Sequence, residues 1–275
     1  MRYIDTHVHF WNYNPDRYSW LSGKEKLQRD FLPEDLFKSS STAELHSCIA
    51  VQADQSEEET QFLLDLAKKH DGIGGVIGWL DLSAGNIEQK IASFSEESFL
   101  KGLRHTVWDE KGEFLLDPDF MRGISLLQEH DLIYELLIFD YQMDAAIEFL
   151  KHFPEQKFVL NHMAKPDFTS KPNRGYLEKL KKMAAHPKLF CKLTGFLSDQ
   201  SLQKADRENL EFYLENMIHL FGSERLLYGS DWPMCLHTSS YTAAFEILKN
   251  YLGATLNHEQ QEKIFFSNAK ELYRP

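Results

Sequence analysis

The sequence predicts an α/β fold, a single (β/α)8 TIM-type barrel of eight parallel strands, each followed by a helix. Three observations predict it. Eight short β-like runs recur along the chain, at residues 3–8, 47–52, 75–80, 102–107, 132–138, 157–161, 189–194 and 226–229. Their starts are 44, 28, 27, 30, 25, 32 and 37 residues apart, enough for one helix in each gap. The 275 residues, 43% of them apolar, supply the length and core of one such barrel, for which about 250 residues is typical. A doubly wound open sheet is the alternative, and the lack of a Gly-rich phosphate loop after the first run weighs against it. No internal repeat or low-complexity linker divides the chain, so residues 1–275 read as one domain.

Taken in order, the first run ends His7-Val8-His9. An irregular stretch rich in aromatics and charge comes next, at residues 11–31. Long structureless stretches in compact domains are usually functional, so this one is expected to lie over the mouth of the barrel. After the second run, Ser56-Glu57-Glu58-Glu59 gives a helix its cap and acidic first turn, and Asp71-Gly72 closes it. The fourth run carries Arg104-His105, and Asp117-Pro118 then opens a helix ending near His130. Glu135 sits inside the fifth run; residues 141–153 place Ala145, Ile147, Phe149 and Leu150 on a helical period and stop at Pro154. The sixth run ends Asn161-His162, with Lys165 just beyond, and a helix spans 176–185. Lys192 lies in the seventh run, ahead of a helix at 205–221. The eighth ends Ser230-Asp231-Trp232, and helices at 240–252 and 257–273 finish the chain.

The charge, 30 − 42 = −12, argues against a nucleic-acid binder, which needs a basic face. An anionic substrate stays open, because a basic pocket can sit on an acidic surface. The chain has no apolar run of about 18 residues, so no membrane span is expected. Its N-terminus enters patterned sequence without an apolar signal stretch. Cys48, Cys191 and Cys235 are scattered without CxxC spacing, which fits a reduced, cytoplasmic protein.

Barrels of this kind carry their chemistry at the C-terminal strand ends. His7 and His9 are two apart on one strand, so their imidazoles share a side. With His162 and Asp231 they form a donor set for one divalent ion such as Zn²⁺ or Mn²⁺, leaving a position for water. The plainer alternatives are mouth histidines that only hydrogen-bond, and an Asp231 that caps the Asp-Trp-Pro turn. Arg104, Glu135 and Lys192 lie in apolar strands, where charge is costly unless paired. They read either as an internal ion-pair network or, for Arg104 and Lys192, as ligands for substrate oxygens; Glu135 reads as structural. Cys191 and Cys235 have no base placed beside them, which disfavours a thiol nucleophile. Trp11, Tyr18, Trp20, His105, Trp108, Lys165 and Trp232 lie at or just beyond strand ends and are candidates for substrate contacts, with loop packing as the alternative for the rings.

These residues resemble the amidohydrolase superfamily (amidohydrolase-related family 2, with a metallo-dependent hydrolase-like barrel), and within it the sugar-lactone hydrolase branch. The segments that carry the resemblance run in order along nearly the whole chain. They are Ile4-Asp5-Thr6-His7-Val8-His9-Phe10-Trp11, Arg17-Tyr18-Ser19-Trp20-Leu21, Lys101-Gly102-Leu103-Arg104-His105, Asn161-His162-Met163-Ala164-Lys165-Pro166, Cys191-Lys192-Leu193-Thr194-Gly195, Phe221-Gly222-Ser223-Glu224-Arg225-Leu226-Leu227-Tyr228-Gly229-Ser230-Asp231-Trp232-Pro233 and Asn268-Ala269-Lys270-Glu271-Leu272-Tyr273. Relatives in that branch resemble L-fucono- and L-rhamnono-lactonases and 2-pyrone-4,6-dicarboxylate lactonase. The resemblance implies that His7, His9, His162 and Asp231 are the site residues and that Arg104 binds substrate. It also implies one metal or none: no lysine ends the fourth strand to bridge two ions, and some relatives work without metal, their histidines then hydrogen-bonding the carbonyl and the water.

The implied activity is hydrolytic opening of a sugar-acid lactone, with Asp231 as general base and then acid. A decarboxylase acting on an unsaturated or aromatic acid is a rival with the same HxH and Asp. A non-catalytic sugar-acid-binding barrel is another, and an amide or phosphotriester substrate is disfavoured by the branch. The expected partner is a small lactone or related carboxylate, with no nucleic acid or membrane; a homo-oligomer is compatible.

Overall fold

The computed structural model describes residues 1–40, 44–107, 112–197 and 204–275. Eight parallel strands are hydrogen-bonded in chain order: β1 (Tyr3–Val8), β2 (Leu45–Val51), β3 (Ile73–Gly78), β4 (Leu100–Thr106), β5 (Ile133–Leu137), β6 (Phe158–Leu160), β7 (Leu189–Leu193) and β8 (Leu226–Tyr228). Each overlaps one run expected from the sequence. The ring closes where β8 leaves its ladder: Val8 bridges Trp232, the Asp231 amide donates to the His7 carbonyl at 3.0 Å, and the His9 amide donates to the Trp232 carbonyl at 2.7 Å. Barrel closure therefore delivers Asp231 beside both β1 histidines.

Helices fill the gaps: α1 (Pro33–Ser39), α2 (Glu57–Lys69), α3 (Ile87–Ser95), α4 (Pro118–Leu127), α5 (Met143–His152), α6 (Arg174–Ala184), α7 (Lys204–Phe221) and α8 (Tyr241–Thr255). Their starts depend on local chemistry. The Ser56 side chain accepts the Glu59 amide, Asp117 accepts from Asp119 and Phe120, and Ser240 accepts from Ala243, each satisfying amides that a helix start leaves open. The segment expected as one helix at 257–273 is α9 (His258–Glu262), a π-helical turn (Lys263–Ser267) and α10 (Asn268–Tyr273).

Two apolar layers result. The larger packs helices on the outside of the sheet. The smaller gathers Ile4, Ile49, Val51, Ile77, Ile133, Val159 and Leu227 with Phe266, Ala269, Leu272 and Tyr273. It fills the barrel interior, and α10 plugs the N-terminal end.

Strict alternation from the interior residue Ile4 would turn His7 and His9 outward. The β1–β2 register shifts between Asp5 and Val8. That irregularity reverses the facing of the later residues of β1, and His7 points inward, within reach of Arg104 and Lys192.

The 11–31 stretch is ordered rather than structureless. Two 3-10 turns (Ser19–Leu21 and Glu25–Leu27) punctuate it, and an antiparallel bridge joins Trp11 to Phe31. It is pinned beyond β2 by Arg17 to Asp54 (2.8 Å), Tyr18 to Glu59 (2.7 Å) and Trp20 to the Ala53 carbonyl (3.1 Å). Lys26, donating to the His237 carbonyl at 3.2 Å, ties it to the segment after β8.

Candidate active site

Five predicted residues converge at the strand ends, all almost wholly buried: His7 (0% exposed), His9 (5%), Arg104 (4%), His162 (6%) and Asp231 (4%). Asp231 Oδ1 lies 3.7 Å from His7 Nε2 and 3.5 Å from His9 Nε2. The His7 and His162 rings are 4.6 Å apart. Arg104 Nη1 is 3.3 Å from His7 Nε2, and a second Arg104 nitrogen donates to the Gln52 carbonyl at the end of β2.

Backbone and neighbours fix this cluster. Asp5 Oδ1 accepts the amides of His7 (3.2 Å) and Ser230 (2.9 Å), stapling β1 to the turn that carries Asp231. Asp5 is not among the sequence-predicted residues, although a carboxyl between Ile4 and Thr6 in an apolar strand is a signal. Asp231 itself has φ +60, and His162, Met163, Ala164 and Lys165 have φ of 51, 55, 57 and 50. A left-handed conformation costs about 1–2 kcal/mol per non-glycine residue. Four in succession mark stored strain, which collects at functional sites. The Tyr176 hydroxyl, donating to the Met163 carbonyl, and the Lys165 amide, donating to the His162 carbonyl at 2.8 Å, hold the turn. Two glycines make room for the rings: a Cβ on Gly195 would lie 2.5 Å from His162 Nδ1, and one on Gly229 would lie 2.7 Å from His7 Cβ.

Burial lowers the affinity of these histidines for protons. His162 is pushed down to about 3. His7 falls well below its ordinary value, through burial and then the charges on Lys192, His162, His9 and Arg104. His9 is lowered by burial against the opposing pull of Asp231. All three are neutral at pH 7, the form that binds metal or accepts a hydrogen bond.

The donor set fits a divalent ion. His7, His162 and Asp231 each offer an atom within 4.8 Å of the others. The Val51 carbonyl, 2.7 Å from His9 Nδ1, fixes that ring's proton there and leaves the Nε2 lone pair facing Asp231. His162 Nδ1 is buried without a hydrogen-bond partner.

The other predicted residues separate. Lys165 stays beside the site on the His162 turn, with its ammonium 5.6 Å from the Phe139 ring centre. Lys192 is not at the mouth as a substrate ligand. It is 0% exposed beneath His7 and bound to Glu135 at 2.6 and 2.8 Å, as an internal ion pair. His105 alternates away from Arg104 and stacks on Phe114, 4.8 Å between centres, while Trp79 donates to its Nδ1. Burial pushes it to about 4. Trp11 is fully buried, with its N–H given to the Arg29 carbonyl, and Tyr18 gives its hydroxyl to Glu59, so both pack the loop instead of meeting hydroxyls of a substrate. Trp232 is likewise buried, edge-on to Phe10 and Phe31. Trp20 is 41% exposed. Trp108 lies outside the described residues.

The amidohydrolase family model matches residues 4–274. The chain belongs to the amidohydrolase family. The L-fucono-1,5-lactonase of Burkholderia multivorans is 32% identical over 282 residues, covering 98% of this chain and 95% of that protein. The protein of the same name from Burkholderia ambifaria is 28% identical, with 98% and 95% covered. A Burkholderia multivorans amidohydrolase solved with bound zinc has a TM-score of 0.95 at 31% identity, covering 100% of this chain and 99% of that one. In this amidohydrolase, as its motifs lead one to expect, the strand ends carry the histidine–aspartate cluster.

The buried histidines set an acid limit on stability. The unfolded chain takes up histidine protons below pH 6.5, whereas the folded chain resists doing so down to about 3 at His162 and about 4 at His105. Each such group adds a slope of about 1.4 kcal/mol per pH unit, with stability rising as pH rises. Asp5, raised by burial from 3.8 to about 6, and Glu59, also raised by burial, oppose this. The lowered histidines (His7, His9, half-buried His105 and His162) outnumber those two carboxyls, so the urea midpoint measured in chelator is expected to be higher at pH 7 than at pH 5. An unchanged or lower midpoint at pH 7 contradicts the buried, neutral assignment.

Proposed function

We propose that this enzyme hydrolyses a sugar-acid lactone of the aldonolactone class. The observation that carries the reading is the convergence of one carboxylate, three neutral imidazoles and one guanidinium in a buried cluster at the strand ends. The near full-length likeness to two L-fucono-1,5-lactonases supports the substrate class.

Lactone opening needs a base for water, a positive or donor group for the carbonyl oxygen as it gains charge, and an acid for the leaving alkoxide. Asp231 takes the proton from water and returns it to the ring oxygen. The His9 Nε2 lone pair stands 3.5 Å from Asp231 Oδ1, so both donors face the same point. Arg104, whose guanidinium is held by the Gln52 carbonyl, supplies positive charge for the substrate's oxygens. Burial of the whole cluster strengthens each of these interactions. His7, His9, His162 and Asp231 would hold one divalent ion, zinc or manganese, which when bound supplies Lewis-acid polarisation and lowers the pKa of water. Lys165, on the His162 turn, is our candidate for contacts with substrate hydroxyls, and residues 11–31 are our candidate for one wall of the mouth.

A panel of aldonolactones, assayed by proton release with and without chelator, tests this. Turnover of at least one member, with one acid equivalent released per lactone, is expected, and activity lost to chelator is expected to return with zinc or manganese. Release of CO2 from an aromatic acid, with no lactone opened, would assign the site to decarboxylation.

A further inference from the structure

Three buried polar side chains beneath the site take no part in the chemistry above. Lys192 on β7 donates to both oxygens of Glu135 on β5, at 2.6 and 2.8 Å. Tyr273, at the end of α10, donates its hydroxyl to Glu135 Oε1 at 2.8 Å. Lys192 Nζ also stands 3.4 Å from His7 Nδ1. Lys192 and Glu135 are 0% exposed and Tyr273 is 1% exposed. Among the described residues, no other side chain hydrogen-bonds His7 at that nitrogen.

Stability is a weak account of this set. Withdrawing two charges from water is expensive, and an apolar pair of similar size commonly serves a core as well or better. Geometry gives a better account. An ammonium has three N–H donors; its bonds to both Glu135 oxygens fix it in place 3.4 Å from His7 Nδ1. Glu135 in turn is held from below by the helix that plugs the barrel, and its backbone is in register with Arg104 across the β4–β5 ladder. The contacts form one continuous line from the C-terminal helix to the underside of a site imidazole.

We propose that Tyr273, Glu135 and Lys192 form a buried strut that positions His7, so that the last helix of the chain supports the reacting groups at the opposite end of the barrel. These are positioning residues that act through the His7 ring. The proposal rests on His7 being a site residue and not on which lactone is opened.

Tyr273→Phe removes a single oxygen and keeps the ring that fills the barrel base. Lys192→Met keeps the length of the side chain and removes its donors. Two readouts are taken on the full-length protein: kcat and KM for an aldonolactone, and the 15N signals of the His7 imidazole in metal-free protein without substrate. Each single variant is expected to shift the His7 signals and to lower kcat on the order of tenfold, as the loss of a partner behind a site histidine commonly does, with little change in KM. The double variant is expected to be no worse than Lys192→Met alone, because both changes break the same line. The proposal is overturned if Tyr273→Phe leaves the His7 signals in place, or if the two losses multiply in the double variant. Should Lys192→Met fail to fold, the His7 signals of Tyr273→Phe decide alone. They decide equally if no lactone is turned over, so the failure of the lactone reading stays distinct.

Discussion

Asp231→Asn is expected to lower kcat for lactone opening by about 10²–10⁴-fold, the usual worth of a positioned general base, while leaving the fold intact. The choice of Asn comes from the backbone. Asp231 sits at φ +60, a conformation that Asn and Asp tolerate better than other side chains. Asn also keeps an oxygen near His7 and His9 but removes the charge and the proton-accepting capacity. Asp231→Ala would mix the chemical loss with backbone strain. Thermal melting and initial rates on the same preparation check the prediction. A folded Asp231→Asn protein with full lactone-opening activity removes Asp231 from the role assigned to it.

The second large effect comes from a residue with no side chain. Gly195→Ala is expected to lower activity by about 100-fold, the scale of loss that a displacement of about 1 Å at a reacting group produces. The added methyl would lie 2.5 Å from His162 Nδ1, and His162 cannot retreat easily because its own turn is left-handed and tied down by Tyr176. Gly23 supplies the control. It has φ +78 against +82 at Gly195, yet a Cβ there meets nothing within 4 Å. Both alanine variants bear the backbone cost of about 1–2 kcal/mol, visible as a lowered melting temperature. Only Gly195→Ala is expected to lose activity. Equal activities for the two variants would show that the His162 ring does not need the space.

How much of this the sequence discloses depends on whether the signal is local. All eight strands are legible because each is a short apolar run bounded by turn residues. The starts of α2, α4 and α8 are legible because Ser56, Asp117 and Ser240 cap them with their own side chains. α1 and α3 are not anticipated. Leu32 and Asn86 precede them without a side-chain cap bond, and α1 has only seven residues.

At the site, residue type and strand-end position place His7, His9, His162, Asp231 and Arg104 together. The inward turn of the first two depends on a register shift between β1 and β2, a non-local property. His105 leaves the site because strand alternation sends it to the face opposite Arg104. Trp11 and Tyr18 leave it because their polar atoms find Arg29 and Glu59 within the folded structure. Glu135, Lys192 and Tyr273 come from β5, β7 and the C-terminal helix. Only the closed barrel brings them into line, so nothing in their own neighbourhoods marks them as a unit.

The most direct test of the central claim is turnover of an aldonolactone in water enriched in ¹⁸O, followed by mass spectrometry of the opened acid. The account predicts opening far faster than the spontaneous rate, with one ¹⁸O per turnover in the product carboxylate, as attack of water on the carbonyl requires. Opening no faster than in buffer alone, or label in the newly freed hydroxyl instead of the carboxylate, would contradict it.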